Sequence, residues 1–312
     1  MRLIKDKTNI NFLGDTRRKV GLGLSLLMIG ASIVSLATRG LEFGIDFTGG
    51  ILLEVGYSEV ADLDSIRSNL ADHGFEDAQV QLFGADTDVL VRLPPQDGDA
   101  ESVRNELQAT LAVGDAAAEL RRVEFVSPQV GKELTEQGGL AMIFAMLMIF
   151  AYVMFRFQWK FAAGAVAALI HDVIITTGFF SFFALPFDLT VVAAILAVIG
   201  YSLNDTVVVF DRIRENFFKL RGLDAGEAIN ISINETLART IITGLTTLLV
   251  LVALLVVGGE SIGPFSIALI VGIVVGTYSS IYIASAIALL FDVTPQDLIE
   301  PVKDPDLLDD LP

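Results

Sequence analysis

Six long apolar runs dominate this sequence: Val20–Ala37, Leu140–Phe155, Phe161–Phe183, Leu189–Phe210, Thr240–Val257 and Phe265–Leu290. Each approaches the roughly 20 residues that a helix needs to cross a hydrocarbon core. In lipid the backbone must satisfy its own polar groups, so such runs are predicted to be helices. A hydrophobic share of 53% and a mean hydropathy of +0.63 agree. The expected fold is a polytopic α-helical membrane protein with six transmembrane helices. The first run also has the features of a signal peptide, with Arg17, Arg18 and Lys19 before it and Ser35-Leu36-Ala37 as a cleavage site. Its length and the 19 residues upstream favour an uncleaved helix.

Lys and Arg in the short connections set the orientation. Arg2, Lys5, Lys7, Arg17, Arg18 and Lys19 precede the first helix, Arg156 and Lys160 join the second to the third, and Arg212, Arg214, Lys219 and Arg221 join the fourth to the fifth. The alternate connections, Ala184–Asp188 and Gly258–Pro264, have none. Both termini are therefore predicted to be cytoplasmic. The chain divides into a cytoplasmic segment (1–19), helix 1 (20–37), an external domain (38–139), helices 2–6 (140–290) and a cytoplasmic tail (291–312).

The net charge of −17 is unevenly distributed. Residues 38–139 hold 7 Lys and Arg against 20 Asp and Glu, a difference of −13, and the tail sets seven acids against Lys303 alone. Excess acid in solvent-facing parts argues against nucleic-acid binding, and the tail reads as disordered. With no cysteine there is no disulfide, thiolate metal site or Cys nucleophile, and two histidines, His73 and His171, make a zinc site improbable.

The external segment is long enough for one small domain. Phe47–Tyr57 reads as a strand and Ala61–His73 as a helix with Leu63, Ile66 and Leu70 at helical spacing. Ala78–Phe83 and Val89–Leu93 are two strands joined at Gly84-Ala85-Asp86; Glu101–Ala112 is a second helix and Leu120–Val126 a last strand. That βαββαβ order is the ferredoxin-like pattern, which carries no chemistry by itself. A binding or mechanical element is expected.

Ionisable residues inside membrane spans are costly and mark function by default. His171 and Asp172 fall near the middle of the third run, Asp205 lies about six residues from the cytoplasmic end of the fourth, and Arg239 opens the fifth. The fourth and fifth helices are antiparallel, so Arg239 shares a depth with Asp205 and can reach toward it. Burial disfavours the charged carboxyl and a nearby Arg favours it. A permanent bridge would carry no proton. Proton coupling needs a second arrangement with Asp205 protonated and Arg239 turned elsewhere. Ser202, Asn204, Thr206, Thr243 and Thr247 supply hydroxyls and an amide to hold water or accept Arg239 in that state. The alternatives are a static ion pair for Asp205 and Arg239, and a packing role for His171 and Asp172. Gly272, Gly276, Ser280, Ala284 and Ala288 recur every fourth position in the last run, a ladder that permits close helix approach.

Tyr201-Ser-Leu-Asn-Asp-Thr-Val-Val-Val-Phe-Asp-Arg-Ile-Arg-Glu-Asn216 resembles the fourth-helix signature of SecF-type members of the SecD/SecF family, within the RND superfamily. Gly44-Ile-Asp-Phe-Thr-Gly-Gly50 is similar to the glycine motif that opens the family's external domain, Phe125-Val-Ser-Pro-Gln-Val-Gly-Lys-Glu-Leu134 to its re-entry segment, and His171-Asp-Val-Ile-Ile-Thr176 to its third-helix motif. The motifs run in family order from the first helix to the last. Ser127 stands where Gly is expected in the re-entry segment, which leaves the local turn geometry open.

The resemblance implies an accessory of the SecYEG translocon in the bacterial inner membrane, acting with SecD and with YajC as a further partner. Its external domain would be periplasmic. After ATP-driven insertion by SecA, the family uses the proton-motive force to complete export of unfolded polypeptides. Such a chain is a transport component and not an enzyme, with protons as coupling ion and no cofactor or metal. By position, Asp205 matches the family's fourth-helix aspartate implicated in proton passage and Arg239 its basic partner. Two other classes share some of these features. An RND-type small-molecule exporter would have a similar relay but larger external domains, and an intramembrane aspartic protease would pair Asp172 with Asp205 yet lacks a Gly-x-Gly-Asp context.

Overall fold

The computed structural model describes residues 8–96, 100–111, 118–220, 222–259 and 262–294. The tail assigned to disorder lies outside these residues from Pro295 onward, as does Ala112 at the expected end of the second external helix. In chain order, α1 (Asp15–Thr38) leads to β1 (Glu42–Phe43), α2 (Ile45–Thr48), β2 (Gly50–Gly56), α3 (Leu63–Asp72), β3 (Gln79–Phe83), β4 (Ala85–Leu93), α4 (Ala100–Leu111) and β5 (Glu119–Val126). The chain then forms α5 (Pro128–Arg156), α6 (Trp159–Phe182), β6 (Pro186–Phe187), α7 (Leu189–Lys219), α8 (Ala225–Val257) and α9 (Gly263–Ser279). A π-helical turn, Ser280–Ala284, carries α9 into α10 (Ser285–Leu290).

Among the described residues six helical segments are long and apolar enough to cross a membrane: α1, α5, α6, α7, α8 and the α9–α10 unit. About half of the apolar window of α6, of α7 and of α9–α10 is buried within the chain, against 6% for α5 and 17% for α8. The bundle is therefore a packed three-helix centre with α1, α5 and α8 around it. Small residues let that centre close. A Cβ on Gly276 would stand 3.0 Å from Ser202 Cβ, one on Gly272 would collide with Val198, and Ala284 O faces Gly164. The small-residue ladder thus packs inside this bundle.

Hydropathy marks less helix than forms. α7 continues to Lys219 and α8 begins at Ala225, capped by Asp224, so Arg239 lies well inside α8 instead of opening it. The extensions are amphipathic: Ile213, Phe217, Ile229 and Ile233 are buried in one core cluster, while Arg212, Glu215 and Lys219 stay at the surface. A window that averages hydropathy misses such segments because half of each faces water. The N-terminal stretch docks on the same region. Asn234 accepts from Ile10 N at 2.8 Å and donates to Ile10 O at 2.7 Å, and Asn230 accepts from Phe12 N at 2.8 Å. Phe12 and Leu13 then enter the core.

The external segment forms a four-stranded sheet in the order β3-β4-β2-β5, every neighbouring pair antiparallel. Ile51, Leu53 and Val55 alternate along β2 toward a core that also holds Leu70 of α3, Val89 and Val91 of β4 and Leu107 of α4. Each such side chain contributes about 1.5–3 kcal/mol by burial. The intervening Leu52 and Glu54 face a cleft of about 810 Å³ between the sheet and the outer ends of α7, α8 and α9.

The expected strand from Phe47 starts at Gly50, because Ile45–Thr48 coils into a helical turn before it. The expected three-residue turn shrinks to Gly84, whose φ of 81° lets β4 begin at Ala85. Ser127 occupies the N-cap of α5 in extended backbone, its hydroxyl accepting from Val130 N at 3.4 Å. A serine therefore suits the turn where the family pattern has glycine.

Candidate functional site

Two carboxylates lie in the centre of the bundle in opposite environments. Asp172 is fully buried on α6. Its Oδ2 accepts from Ser202 Oγ of α7 at 2.6 Å and from Ser279 Oγ of α9 at 2.8 Å, and its Oδ1 lies 2.9 Å from His171 Nδ1. An ionised carboxylate only accepts, so with Asp172 ionised this contact requires the tautomer that carries its proton on Nδ1. His171 Nε2 is buried without a partner, and the ring stacks on Tyr278 at 6.1 Å. The Tyr278 hydroxyl donates to Gly21 O and accepts from Ser25 Oγ at 3.0 Å, which joins the cluster to α1.

Sequence reasoning missed Ser279. It sits in an uninterrupted apolar run, and the available signal was the consecutive pair Ser279-Ser280 at its middle. The π-helical turn begins directly after Ser279 and places Ser285 Oγ 3.1 Å from Ser280 O, five residues back. Such single π turns recur at functional positions inside helices.

Asp205 is 3% exposed on α7, and its Oδ2 has no hydrogen-bond partner. Among the described residues Asp205 and Arg239 form no ion pair across the gap between α7 and α8. Arg239 is exposed and lines a cleft of about 620 Å³ between α7 and α8, on the side away from the sheet. The acids of that cleft are already engaged: Asp211 by Arg156 at 2.8 Å, Glu215 by Arg212 at 2.7 Å, and Glu235 by Asn216 at 2.8 Å.

The five residues expected to assist Asp205 are dispersed. Ser202 binds Asp172 instead, one helical turn from Asp205. Asn204 is exposed on the outer face of α7, and Thr206 is buried. Thr243 Oγ1 donates to Arg239 O at 2.8 Å and Thr247 Oγ1 to Thr243 O at 3.0 Å, so both hydroxyl protons serve the preceding turn of α8. Their oxygens remain acceptors. Chemically, Asp172 is a saturated acceptor and Asp205 an unsaturated one.

The family description "Protein export membrane protein SecD/SecF, C-terminal" matches residues 106–294, and "SecD/SecF GG Motif" matches residues 34–59. The chain is 50% identical over 305 residues to a protein translocase subunit SecF of Pseudomonas aeruginosa, covering 97% of this chain and 98% of the relative. A Vibrio alginolyticus protein of the same name is 49% identical, with 96% and 95% covered. The crystal structure of SecDF, a translocon-associated membrane protein from Thermus thermophilus, superposes with a TM-score of 0.84 at 36% identity over 93% of this chain. The match spans 40% of that longer chain. SecDF in a super-membrane-facing form, also 36% identical, superposes with a TM-score of 0.67 over 94% of this chain and 40% of its own. With its motifs in order, its bundle and sheet in place, and relatives matched nearly end to end, the chain belongs to the SecD/SecF family of protein export membrane proteins.

Proposed function

We propose that this chain is an accessory subunit of the bacterial Sec translocon that works with SecD, and uses the proton-motive force to complete export of unfolded polypeptides. In this reading it acts beside SecYEG and YajC in the inner membrane as a transport component without a cofactor. Both termini are cytoplasmic and residues 38–139 form a periplasmic domain. The strand order of the sheet and the βαββαβ succession support reading that domain as ferredoxin-like.

Asp205 is the proton carrier and Arg239 its electrostatic switch. The observation that carries this reading is a buried Asp205 oxygen with no partner inside a membrane-spanning helix, while Arg239 turns to the cleft between α7 and α8. A buried carboxylate without a bonded donor is costly when charged, which favours proton uptake. Return of Arg239 toward Asp205 would favour the charged form and expel the proton to the cytoplasmic side. One elementary charge crossing 100 mV yields about 2.3 kcal/mol, so each proton supplies a modest bias and several cycles serve one client. Two SecDF structures at the same identity but different TM-scores support a fold with more than one arrangement. A protease reading finds no support in the geometry, since both oxygens of Asp172 are taken by Ser202, Ser279 and His171 and neither is shared with Asp205.

The test is release of a secreted client from the outer face of membranes, with and without a proton gradient, for wild type and Asp205→Asn at matched abundance. The variant is expected to assemble and to lose gradient-dependent release. Full gradient dependence in the variant would overturn the relay.

A further inference from the structure

The glycine motif Gly44–Gly50 joins the membrane bundle to the external sheet. β1 pairs in parallel with β6, Glu42 opposite Pro186 and Phe43 opposite Phe187, and Gly44 N donates to Phe187 O at 2.8 Å. The rings of Phe43, Phe47 and Phe187 lie 5.7–6.1 Å from one another, and Phe180 of α6 stands 6.0 Å from Phe187. Asp46 adds a side-chain contact to this joint. Its Oδ2 accepts from Leu189 N, the first residue of α7, at 2.9 Å.

The first amides of any helix lack partners within the helix, and its N-terminal end favours negative charge. α7 answers that need from two sources. Asp188 in its own loop accepts from Val191 N at 3.0 Å, and Asp46 reaches in from the segment that precedes the sheet. The two carboxylates satisfy different amides, and the one from Asp46 also ties α7 to the segment that leads into the sheet.

The other end of the motif is fixed as firmly. Gly49 has φ +72° and lies so close to α5 that an added Cβ would stand 2.8 Å from Pro128 Cα. Gly50 has φ +127°, and an added Cβ would meet Leu93 O of β4. Gly50 also opens β2, which lies between β4 and β5 in the sheet. Between Asp46 and β2 there are only Phe47, Thr48 and Gly49, the end of a single helical turn and a glycine packed against α5. Arg92 of β4 and Asp188 line the same cleft; burial depresses the basicity of Arg92, and the Asp188 and Glu42 charges act against that.

We propose that Asp46 is a positioning residue that transmits displacement of the outer end of α7 to the external sheet. The inference rests on the reading that α7 moves when Asp205 changes protonation.

The absence of cysteine from the sequence allows a clean pair of spin labels in the full chain with its SecD partner in lipid. One label goes on Asp72→Cys at the end of α3, the other on Val257→Cys, 84% exposed at the outer end of α8. With Asp46 present, Asp205→Asn is expected to shift the distance distribution relative to wild type. Asp46→Ala should abolish that shift, and Asp46→Asn, which keeps an acceptor oxygen, should preserve it. A shift of undiminished size in Asp46→Ala overturns the proposal.

If Asp205→Asn moves nothing even with Asp46 in place, the relay reading fails, and amide exchange decides the coupling by itself. Asp46→Ala should then accelerate exchange roughly tenfold at Leu189 and through β2 together, with α4 and β3 keeping their protection. Acceleration at Leu189 alone makes Asp46 a local cap, and loss of protection across the whole domain makes it a folding residue. Either result removes the proposal.

Discussion

Asp172 and Asp205 are both buried in one bundle, 0% and 3% exposed, on neighbouring helices. Asp172 collects donors from its own neighbour on α6, from α7 and from α9. Asp205 leaves an oxygen bare. On the proposed function, burial does not distinguish a structural carboxylate from a working one. Satisfaction does: a carboxylate held by donors from three helices has those bonds weakened if it takes a proton and broken if it moves, whereas an unsatisfied one gains from a proton.

The largest expected effect follows from removing the satisfied member. Asp172→Ala leaves Ser202 and the His171 ring without an acceptor, at about 1–3 kcal/mol for each buried group left unmatched, and leaves Ser279 only Gly276 O at 3.1 Å. The expected outcome is severe loss of folded protein in the membrane, read as abundance and as melting temperature in detergent. Near-normal abundance would break the comparison, because Asp172 would then be as dispensable to folding as Asp205. Ser279→Ala is the intermediate case. It withdraws one hydrogen bond to Asp172, worth about 0.5–1.5 kcal/mol, and leaves Ser202 in place. A melting temperature between those of wild type and Asp172→Ala is expected.

Much of this contrast was legible in the sequence, and the part that was not is physical in origin. Asp172 and Asp205 stand out because each interrupts an apolar run, and βαββαβ emerges from alternation in strands such as Ile51, Leu53 and Val55. What periodicity does not report is which helix faces which. Ser202 lies one turn from Asp205 in sequence, but α7 rotates it toward α6, where it meets Asp172. Ser279 joins the same carboxylate from a helix more than 100 residues away in the chain, as the separation of 107 records. The π-helical turn that follows it arises from tertiary packing, with Ala284 O against Gly164. The cap that Asp46 gives α7 is of the same kind, joining positions 143 residues apart.

Asp205→Asn is expected to act in the opposite direction on stability. The neutral amide removes the need to bury a charge, and no bonded donor is lost from Oδ2. Its melting temperature should equal or exceed that of wild type, while gradient-dependent client release disappears. A clear fall in melting temperature would mean that Asp205 holds the bundle together, as the static ion-pair alternative requires.

The smallest effect belongs to a third carboxylate that separates hydrogen bonding from burial. Asp62, at the N-cap of α3, collects donors much as Asp172 does: Asp64 N at 3.1 Å, Ser65 N at 3.3 Å and Ser65 Oγ at 2.7 Å. It is fully exposed, and the Ser65 hydroxyl, followed by the Ser65 and Asp64 amides, holds its carboxyl below the ordinary value of 3.8. A depressed folded-state value means that its contribution is present above pH 3.8 and fades as pH falls through the lowered value. Asp62→Ala should therefore lower the melting temperature of the external domain slightly at neutral pH, and the difference from wild type should vanish in strong acid. Water replaces the lost partners at Asp62, and nothing replaces them at Asp172. If the two alanine variants proved equally damaging at neutral pH, the number of donors and not their seclusion from water would set the cost, and the distinction drawn between the two intramembrane carboxylates would lose its physical basis.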